Sequence, residues 1–370
     1  MTTIRATALM RVGRETMEGA GVRLRRGFGS SGEATLFDPF LLFDDFSADD
    51  PRDFQRGFPW HPHRGIETVT YLVRGRVRHG DSIGNKGVIG PGDLQWMSAG
   101  GGIVHEEMPE AVDGGMMGFQ LWVNLPRAHK MSPPRYRGIT ADTVPVVERP
   151  LGVRVRVLAG EVDGVKGPVA DVAGAPMYLD VSVPLGGTFD LPIPVQRTAF
   201  AYVIDGSATF GEGPLAPVPA KHVALLGPGD ALRAEAGAAG CRLLLMAGTP
   251  LKEPIAWRGP IVMNTQSELD DAFQQVRDGT FLKQPRCPPA ALDDLAADPR
   301  PPAAKKLTNH PGSTRNLRAD LHDWGAAATP PPAFYPPSWT TATPRRRVRL
   351  RVADAEKPIR VQGRERRDGL

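Results

Sequence analysis

Two short stretches decide how this chain is interpreted: HPH at residues 61–63 and HEE at residues 105–107. The run after the first, IETVTYLVRG, is rich in β-branched and aromatic residues and predicts a β-strand. Side chains alternate between the two faces of a strand, so His61 and His63 share a face, as do His105 and Glu107. Two such strands, side by side in a small β-barrel, would aim three imidazoles and one carboxylate at one point.

This mixed nitrogen and oxygen ligand set indicates a metal site with open coordination positions. Such a set suits a redox-active first-row metal, Fe(II) above all, better than a closed structural zinc site. Zinc, nickel, copper and manganese compete for imidazole ligands, so other divalent metals stay open. An HxH pair alone could equally be a polar surface pair, but the HxE pair after a glycine turn favours the metal site.

The composition favours many short strands joined by turns. The chain has 370 residues with 41% hydrophobic content, 42 glycines and 37 prolines, which is enough for two domains and disfavours helical bundles. Its two cysteines, Cys241 and Cys287, belong to no motif and support neither a disulfide framework nor a cysteine metal site. A reducing, cytoplasmic location fits this cysteine usage.

The charge is unevenly distributed along the chain. Residues 344–370 hold nine Arg, one Lys and four acids, a net +6, so the rest of the +4 chain carries −2. The basic segment favours a solvated tail over a nucleic-acid grip, and no nucleic-acid binding is expected from the barrels. The first residues lack the apolar core of a signal peptide, and no apolar run is long enough to predict a membrane span.

The sequence predicts an all-β protein with two barrels in tandem. We expect a metal-binding barrel at 1–135, a linker at 136–150, a second barrel at 151–283 with a closing helix, and a Pro/Arg-rich, largely disordered tail at 284–370. The closing helix is expected over 267–279, capped by Ser267.

The second barrel reads as a diverged copy of the first. YVIDG at 202–206 echoes YLVRG at 71–75, and LLGPGDAL at 225–232 echoes VIGPGDLQ at 88–95. The copy lacks the histidine pairs, so we expect it to be metal-free. An internal pair of barrels replaces the dimer that single barrels form, so we expect a monomer.

With these residues in hand, the sequence resembles the pirin family of bicupins. The resemblance rests on FDPFLLFDDF, HPHRGIETVTYLVRG, DSIGNKGVIGPGDLQWMSAGGGIVHEEMPE and GPIVMNTQSELDDAFQQVRDGTF, within residues 5–283. It implies two cupin jelly-roll barrels, with one iron held in the first by His61, His63, His105 and Glu107. In many other cupins the carboxylate ligand would fall on Glu67, and we follow the pirin pattern instead. Arg64 and Glu67 are expected to form an ion pair that supports the site.

The resemblance implies two functions. The first is a quercetin 2,3-dioxygenase-like oxidoreductase that opens a flavonol ring with dioxygen. For this reaction we expect Glu107 to act also as the base for a substrate hydroxyl. Its partners would be a flat aromatic substrate and dioxygen. The second is a non-catalytic iron protein, a redox sensor or regulator that acts through a protein partner.

Overall fold

The computed structural model describes residues 2–110 and 114–283 of the chain. These residues form strands, turns, short 3-10 helices and one α-helix, so the all-β prediction is confirmed. The predicted disordered tail at 284–370, including Cys287, lies outside the described residues.

The strands of the first half are, in chain order, β1 (Ile4–Arg5), β2 (Thr7–Val12), β3 (Arg14–Glu18), β4 (Val22–Phe28), β5 (Phe40–Asp45), β6 (Phe58–His63), β7 (Ile66–Arg74), β8 (Arg76–Asp81), β9 (Lys86–Ile89), β10 (Leu94–Ser98), β11 (Ile103–Glu110), β12 (Met117–Asn124) and β13 (Arg135–Ile139). Those of the second half are β14 (Val146–Glu148), β15 (Arg154–Ala159), β16 (Glu161–Val162), β17 (Val165–Lys166), β18 (Met177–Val183), β19 (Thr188–Pro192), β20 (Thr198–Phe210), β21 (Val218–Pro219), β22 (His222–Leu226), β23 (Ala231–Gly248), β24 (Ala256–Arg258) and β25 (Ile261–Met263). The helix is α1 (Gln266–Arg277), and the 3-10 turns are Pro51–Asp53, Arg127–His129, Ala141–Thr143 and Pro150–Gly152.

The first barrel consists of two sheets. One has seven strands in the order β13-β10-β7-β12-β5-β4-β3, and the other has four in the order β6-β11-β8-β9. The two faces of β7 contact different parts of the molecule. Thr70 points to the barrel interior, where it contacts the Glu107 side chain of the smaller sheet. Val69 and Tyr71 point outward into an apolar cluster shared with the second barrel. Both faces of this strand are buried over most of its length, and β-branched or aromatic residues occur on both of them.

The second barrel has an apolar interior. Its main sheet follows the order β14-β15-β18-β23-β20-β22-β2, and Ala199, Ala201 and Val203 of β20 point into a core of aliphatic and aromatic side chains. Phe200 and Tyr202 of the same strand point the other way, toward the first barrel. The strand therefore alternates between a core face and an interface face, as β7 does.

The ends of the barrels differ from the boundaries expected from the sequence. β1 and β2 pair with β23 and β22, so residues 4–12 complete the second barrel rather than the first. The segment 136–150, expected to be a linker, contains most of β13, which pairs with β10, and all of β14, which pairs with β15. The boundaries differ because the unpaired backbone N–H and C=O groups at the edge of a sheet form hydrogen bonds with nearby segments of the chain. Neither segment has a strong apolar pattern that would have revealed this pairing.

The two barrels pack back to back through one aromatic cluster. Phe43 and Phe119 of the first barrel lie 4.9 and 5.9 Å from the ring of Tyr202, and Phe200 meets four phenylalanines edge-on. Burial of each such side chain contributes roughly 1.5–3 kcal/mol. The interface is thus a hydrophobic core in its own right, and it fixes one barrel against the other.

The closing helix α1 begins at Gln266, one residue before the expected start at 267. Its N-cap is Thr265, whose hydroxyl accepts from the Glu268 backbone N–H, while the Glu268 carboxylate accepts from the Thr265 N–H. This reciprocal capping box places Ser267 inside the helix, so the predicted Ser267 cap is wrong. Within the described residues, no helix combines the length and the apolar character needed to cross a membrane.

Candidate metal centre

The register of β6 and β11 brings the predicted histidines together. The strands are antiparallel, with His61 opposite His105 and His63 opposite Ile103. One ligand atom from each of His61, His63 and His105 lies within 4.8 Å of the others. The side-chain alternation predicted from HPH and HEE therefore produces a three-imidazole cluster inside the first barrel.

Backbone carbonyls fix which ring nitrogens face the centre of this cluster. His61 donates from Nδ1 to the Pro59 carbonyl at 2.8 Å, and His63 donates from Nδ1 to the Pro260 carbonyl at 3.1 Å. A carbonyl oxygen only accepts, so the proton of each neutral ring sits on Nδ1. The two Nε2 atoms lie 3.1 Å apart, and their lone pairs point toward each other. A cation bound by both atoms would remove the repulsion between these lone pairs.

His105 supplies the clearest test of whether a metal fits. It is fully buried, and neither of its ring nitrogens has a hydrogen-bond partner in the part of the chain that the structure describes. Burial lowers the pKa of His61 to about 4 and holds the pKa values of His63 and His105 well below the ordinary range. All three rings are therefore neutral near pH 7, the form that binds a metal ion.

Glu107 lies beside this cluster. A bulge in the pairing of β6 and β11 falls between His105 and Glu107. The buried Glu107 carboxylate accepts a 2.6 Å hydrogen bond from the Thr70 hydroxyl, and Thr70 also contacts Gln120 at 2.9 Å. Burial raises the pKa of Glu107. The three-histidine group does not include this carboxylate as it is placed, so its role as fourth ligand stays a prediction.

Glu67, the alternative carboxylate, points elsewhere. It accepts a hydrogen bond from the Ser98 hydroxyl at 2.5 Å, on the face of β7 opposite to Thr70. The expected ion pair with Arg64 is not formed, because Arg64 donates instead to the carbonyls of Gly101 and Phe281. Glu67 and Arg64 sit on either side of Gly65, whose φ of +77° turns the chain between β6 and β7.

His79 is a neighbour of the site that sequence analysis missed. The sequence pattern gave it no role, yet its ring lies 5.5 Å from that of His105 and stacks on Tyr136 at 4.7 Å. His79 also contacts the Asp81 carboxylate at 3.3 Å, with both side chains fully buried. The signal was present in RVRHGD, where His79 and Asp81 are two apart on a strand.

A narrow cleft lies beside Glu107 in the first barrel. Its lining is mostly apolar, with Thr70, Glu107 and Gln120 as the polar members and Phe46, Phe58, Val77 and Pro109 as the rest. The cavity volume is about 10 Å³, roughly the room of one water molecule and far below the roughly 300–1,000 Å³ of most small-molecule pockets. A three-ring substrate would enter only if side chains at the mouth moved.

Comparisons with known proteins cover both barrels. A family model described as Pirin matches residues 21–123, and one described as the Pirin C-terminal cupin domain matches residues 178–282. A pirin-like protein of Caulobacter vibrioides is 47% identical over 270 residues, which is 73% of this chain and 96% of the relative. The chain belongs to the pirin family. The predicted bicupin fold is thereby confirmed.

Other pirin-family relatives carry enzyme names. A Pseudomonas aeruginosa protein provisionally named a quercetin 2,3-dioxygenase is 44% identical over 287 residues, covering 76% of this chain and 99% of the relative. The crystal structure of a quercetin 2,3-dioxygenase from Acinetobacter baumannii aligns with a TM-score of 0.70 at 33% identity, covering 75% of this chain and 99% of that one.

Proposed function

We propose that this pirin is a mononuclear metal-dependent dioxygenase that opens a flavonol-type aromatic ring, with Fe(II) as its metal. The observation that supports it most is the group of three neutral, converging imidazoles, one of them buried without any hydrogen-bond partner among the described residues. The dioxygenase names of relatives along the same residues support the reaction class. A bound first-row metal would supply Lewis acidity toward a substrate hydroxyl and redox capacity toward dioxygen.

The chain's own residues would bind and orient the reactants. His61, His63 and His105 would hold the metal on one side and leave adjacent positions for substrate and dioxygen. His61 is the least buried of the three. The apolar cleft walls formed by Phe46 and Phe58 would accept an aromatic ring and exclude water.

Glu107 is the proposed base for the substrate hydroxyl. A carboxylate whose pKa is raised by burial is a better proton acceptor near neutral pH than an exposed one. The Thr70 hydroxyl keeps the carboxylate in one orientation where it lines the cleft. Proton transfer to Glu107 would leave the substrate as the electron-rich anion that reacts with oxygen.

A second candidate is a metal-bearing regulatory protein without turnover. The small volume of the cleft favours it, since a sensor needs a metal whose oxidation state alters a surface but needs no room for a flavonol. The two candidates differ in whether substrate consumes oxygen at the site.

The deciding experiment is anaerobic loading with Fe(II), followed by oxygen uptake with quercetin. The matched pair Glu107→Gln and Glu106→Gln separates a buried carboxylate at the site from its neighbour, which points away from the interior. His105→Ala and His222→Ala form a second pair, because His222 lies in the second barrel. We expect iron-dependent uptake that Glu107→Gln and His105→Ala abolish and the two controls retain.

The opposite result has a clear meaning. Iron bound at these histidines with no uptake across a panel of flavonols would reject the flavonol dioxygenase and favour the regulatory protein. Failure of the wild-type protein to bind iron, zinc or nickel would reject both candidates.

A further inference from the structure

The chain that follows the second barrel returns to the metal centre of the first. The hairpin of β24 and β25, helix α1 and the turn to Phe281 form this segment, here named the C-terminal strap (residues 256–281). Ile261 forms a parallel bridge with Arg64, and the Val262 N–H donates to the Arg64 carbonyl at 3.1 Å. The strap thus pairs with the backbone of the residue next to His63.

One strap residue orients a histidine of the cluster. The Pro260 carbonyl accepts the Nδ1–H of His63 across 197 residues of sequence. Because a carbonyl cannot donate, this contact leaves Nε2 of His63 as the nitrogen that faces His61 and His105. Partners of this kind orient a ligand and typically change metal affinity 10- to 100-fold when lost.

A buried lysine holds the strap in place. The Lys130 ammonium donates three hydrogen bonds: to the Val262 carbonyl at 3.0 Å, the Gly65 carbonyl at 2.8 Å and Asn124 Oδ1 at 2.7 Å. A Cβ atom on Gly65 would lie 1.9 Å from the Val262 oxygen, so only glycine permits this approach. The lysine therefore joins the strap to the turn that follows His63.

Arg64 secures the far end of the same segment. Its guanidinium donates to the Phe281 carbonyl at 2.8 Å and lies 4.2 Å from the Phe281 ring centre. A second donation, to the Gly101 carbonyl at 2.8 Å, ties it to the glycine turn before β11. The arginine adjacent to His63 thus contacts both the strap and the turn that leads into the strand that carries His105.

We infer that the C-terminal strap is a working part of the metal centre: Pro260 sets the orientation of His63, and Lys130 is the positioning residue that keeps Pro260 in place. The inference rests on the metal site proposed above. Linkage makes the coupling reciprocal, so metal binding stabilises the docked strap to the extent that the docked strap strengthens metal binding.

The first test compares full-length Lys130→Met with Tyr71→Phe. The control also removes a buried hydrogen bond, but at the interface between the barrels. Zinc and cobalt affinities are measured by competition with a chromophoric chelator, and the visible spectrum of the cobalt protein reports ligand geometry. We expect Lys130→Met to bind roughly 10- to 100-fold more weakly with an altered cobalt spectrum, and Tyr71→Phe to match wild type. Wild-type affinity and spectrum in Lys130→Met would overturn the inference, whereas a wild type that binds no metal would instead reject the proposed function.

The second test uses the wild-type chain and so does not depend on how a variant folds. Hydrogen exchange of peptides from 256–281 is followed with and without zinc, with second-barrel core peptides as the internal reference. We expect zinc to slow exchange in the strap, including the Val262 amide, and the ¹⁵N spectrum of the zinc protein to show a proton on Nδ1 of His63. Unchanged strap exchange, or an unprotonated Nδ1, would contradict the inference.

Discussion

Tyr71 and Tyr202 occupy corresponding positions in the two barrels, and each donates its phenolic hydrogen to an aspartate of the other barrel. Tyr71 bonds Asp180 at 2.6 Å, and Tyr202 bonds Asp45 at 2.5 Å. The two tyrosines open the echoed motifs YLVRG and YVIDG. The duplication thus places a reciprocal pair of polar contacts across the interface, where they fix the register of one barrel against the other.

The two contacts are predicted to differ in strength. Asp180 keeps a bidentate ion pair with Arg242 when Tyr71 is changed to phenylalanine. Among the described residues, the hydrogen-bond partner that Asp45 keeps when Tyr202 is changed is the Ser47 amide. We expect Tyr71→Phe to lower the free energy of unfolding by about 1 kcal/mol and Tyr202→Phe by about 2–3 kcal/mol. Urea unfolding of the metal-free proteins measures both. A larger loss in Tyr71→Phe would show that Arg242 does not compensate.

The helix cap gives a second matched pair. Thr265→Ala removes the hydroxyl that accepts from the Glu268 amide, and should cost about 1 kcal/mol. Ser267→Ala changes a residue inside the helix, where alanine has the higher propensity, and should be neutral or slightly stabilising. Thermal unfolding of the two variants shows whether Thr265 or Ser267 caps the helix. Equal destabilisation by both would mean that the capping box does not form in solution.

The sequence predicted the parts of the site that depend on strand alternation. His61, His63 and His105 needed only a period of two and a pair of neighbouring strands, and the structure brings them together. Tyr71 was part of the echoed motif that revealed the duplication. Local chemistry of this kind is readable without knowledge of the tertiary fold.

The parts that were missed depend on contacts between distant segments. The sequence near Pro260 does not predict that its carbonyl accepts a hydrogen bond from His63. The sequence near Lys130 does not predict that its amino group donates to two backbone carbonyls and one side-chain amide. The exchange of β1 and β2 into the second barrel is likewise set by a free strand edge far along the chain. His79 was missed because a single histidine on a strand carries little signal until its partner strand is known.

Cys241 is expected to be unreactive in the folded protein. Burial raises the pKa of its thiol to about 11, so little of the reactive thiolate is present at about pH 8. With Cys287 replaced by serine, an aromatic disulfide reagent should label the native protein far more slowly than the urea-unfolded protein. The rate should rise as the pH approaches 11, because the thiolate fraction grows. Equal rates for native and unfolded protein at about pH 8 would show that the thiol is accessible.

The pH profile of turnover should move when Thr70 loses its hydroxyl. The Thr70 hydrogen bond favours the charged form of Glu107 and so lowers its pKa, against the larger effect of burial, which raises it. Thr70→Val removes this bond, the pKa of Glu107 rises further, and the acidic limb of kcat/KM shifts to higher pH. Thr68→Val is the matched control, since the Thr68 hydroxyl is buried and has no hydrogen-bond partner among the described residues. A shift to lower pH, or the same shift in both variants, would argue that Glu107 does not take the substrate proton.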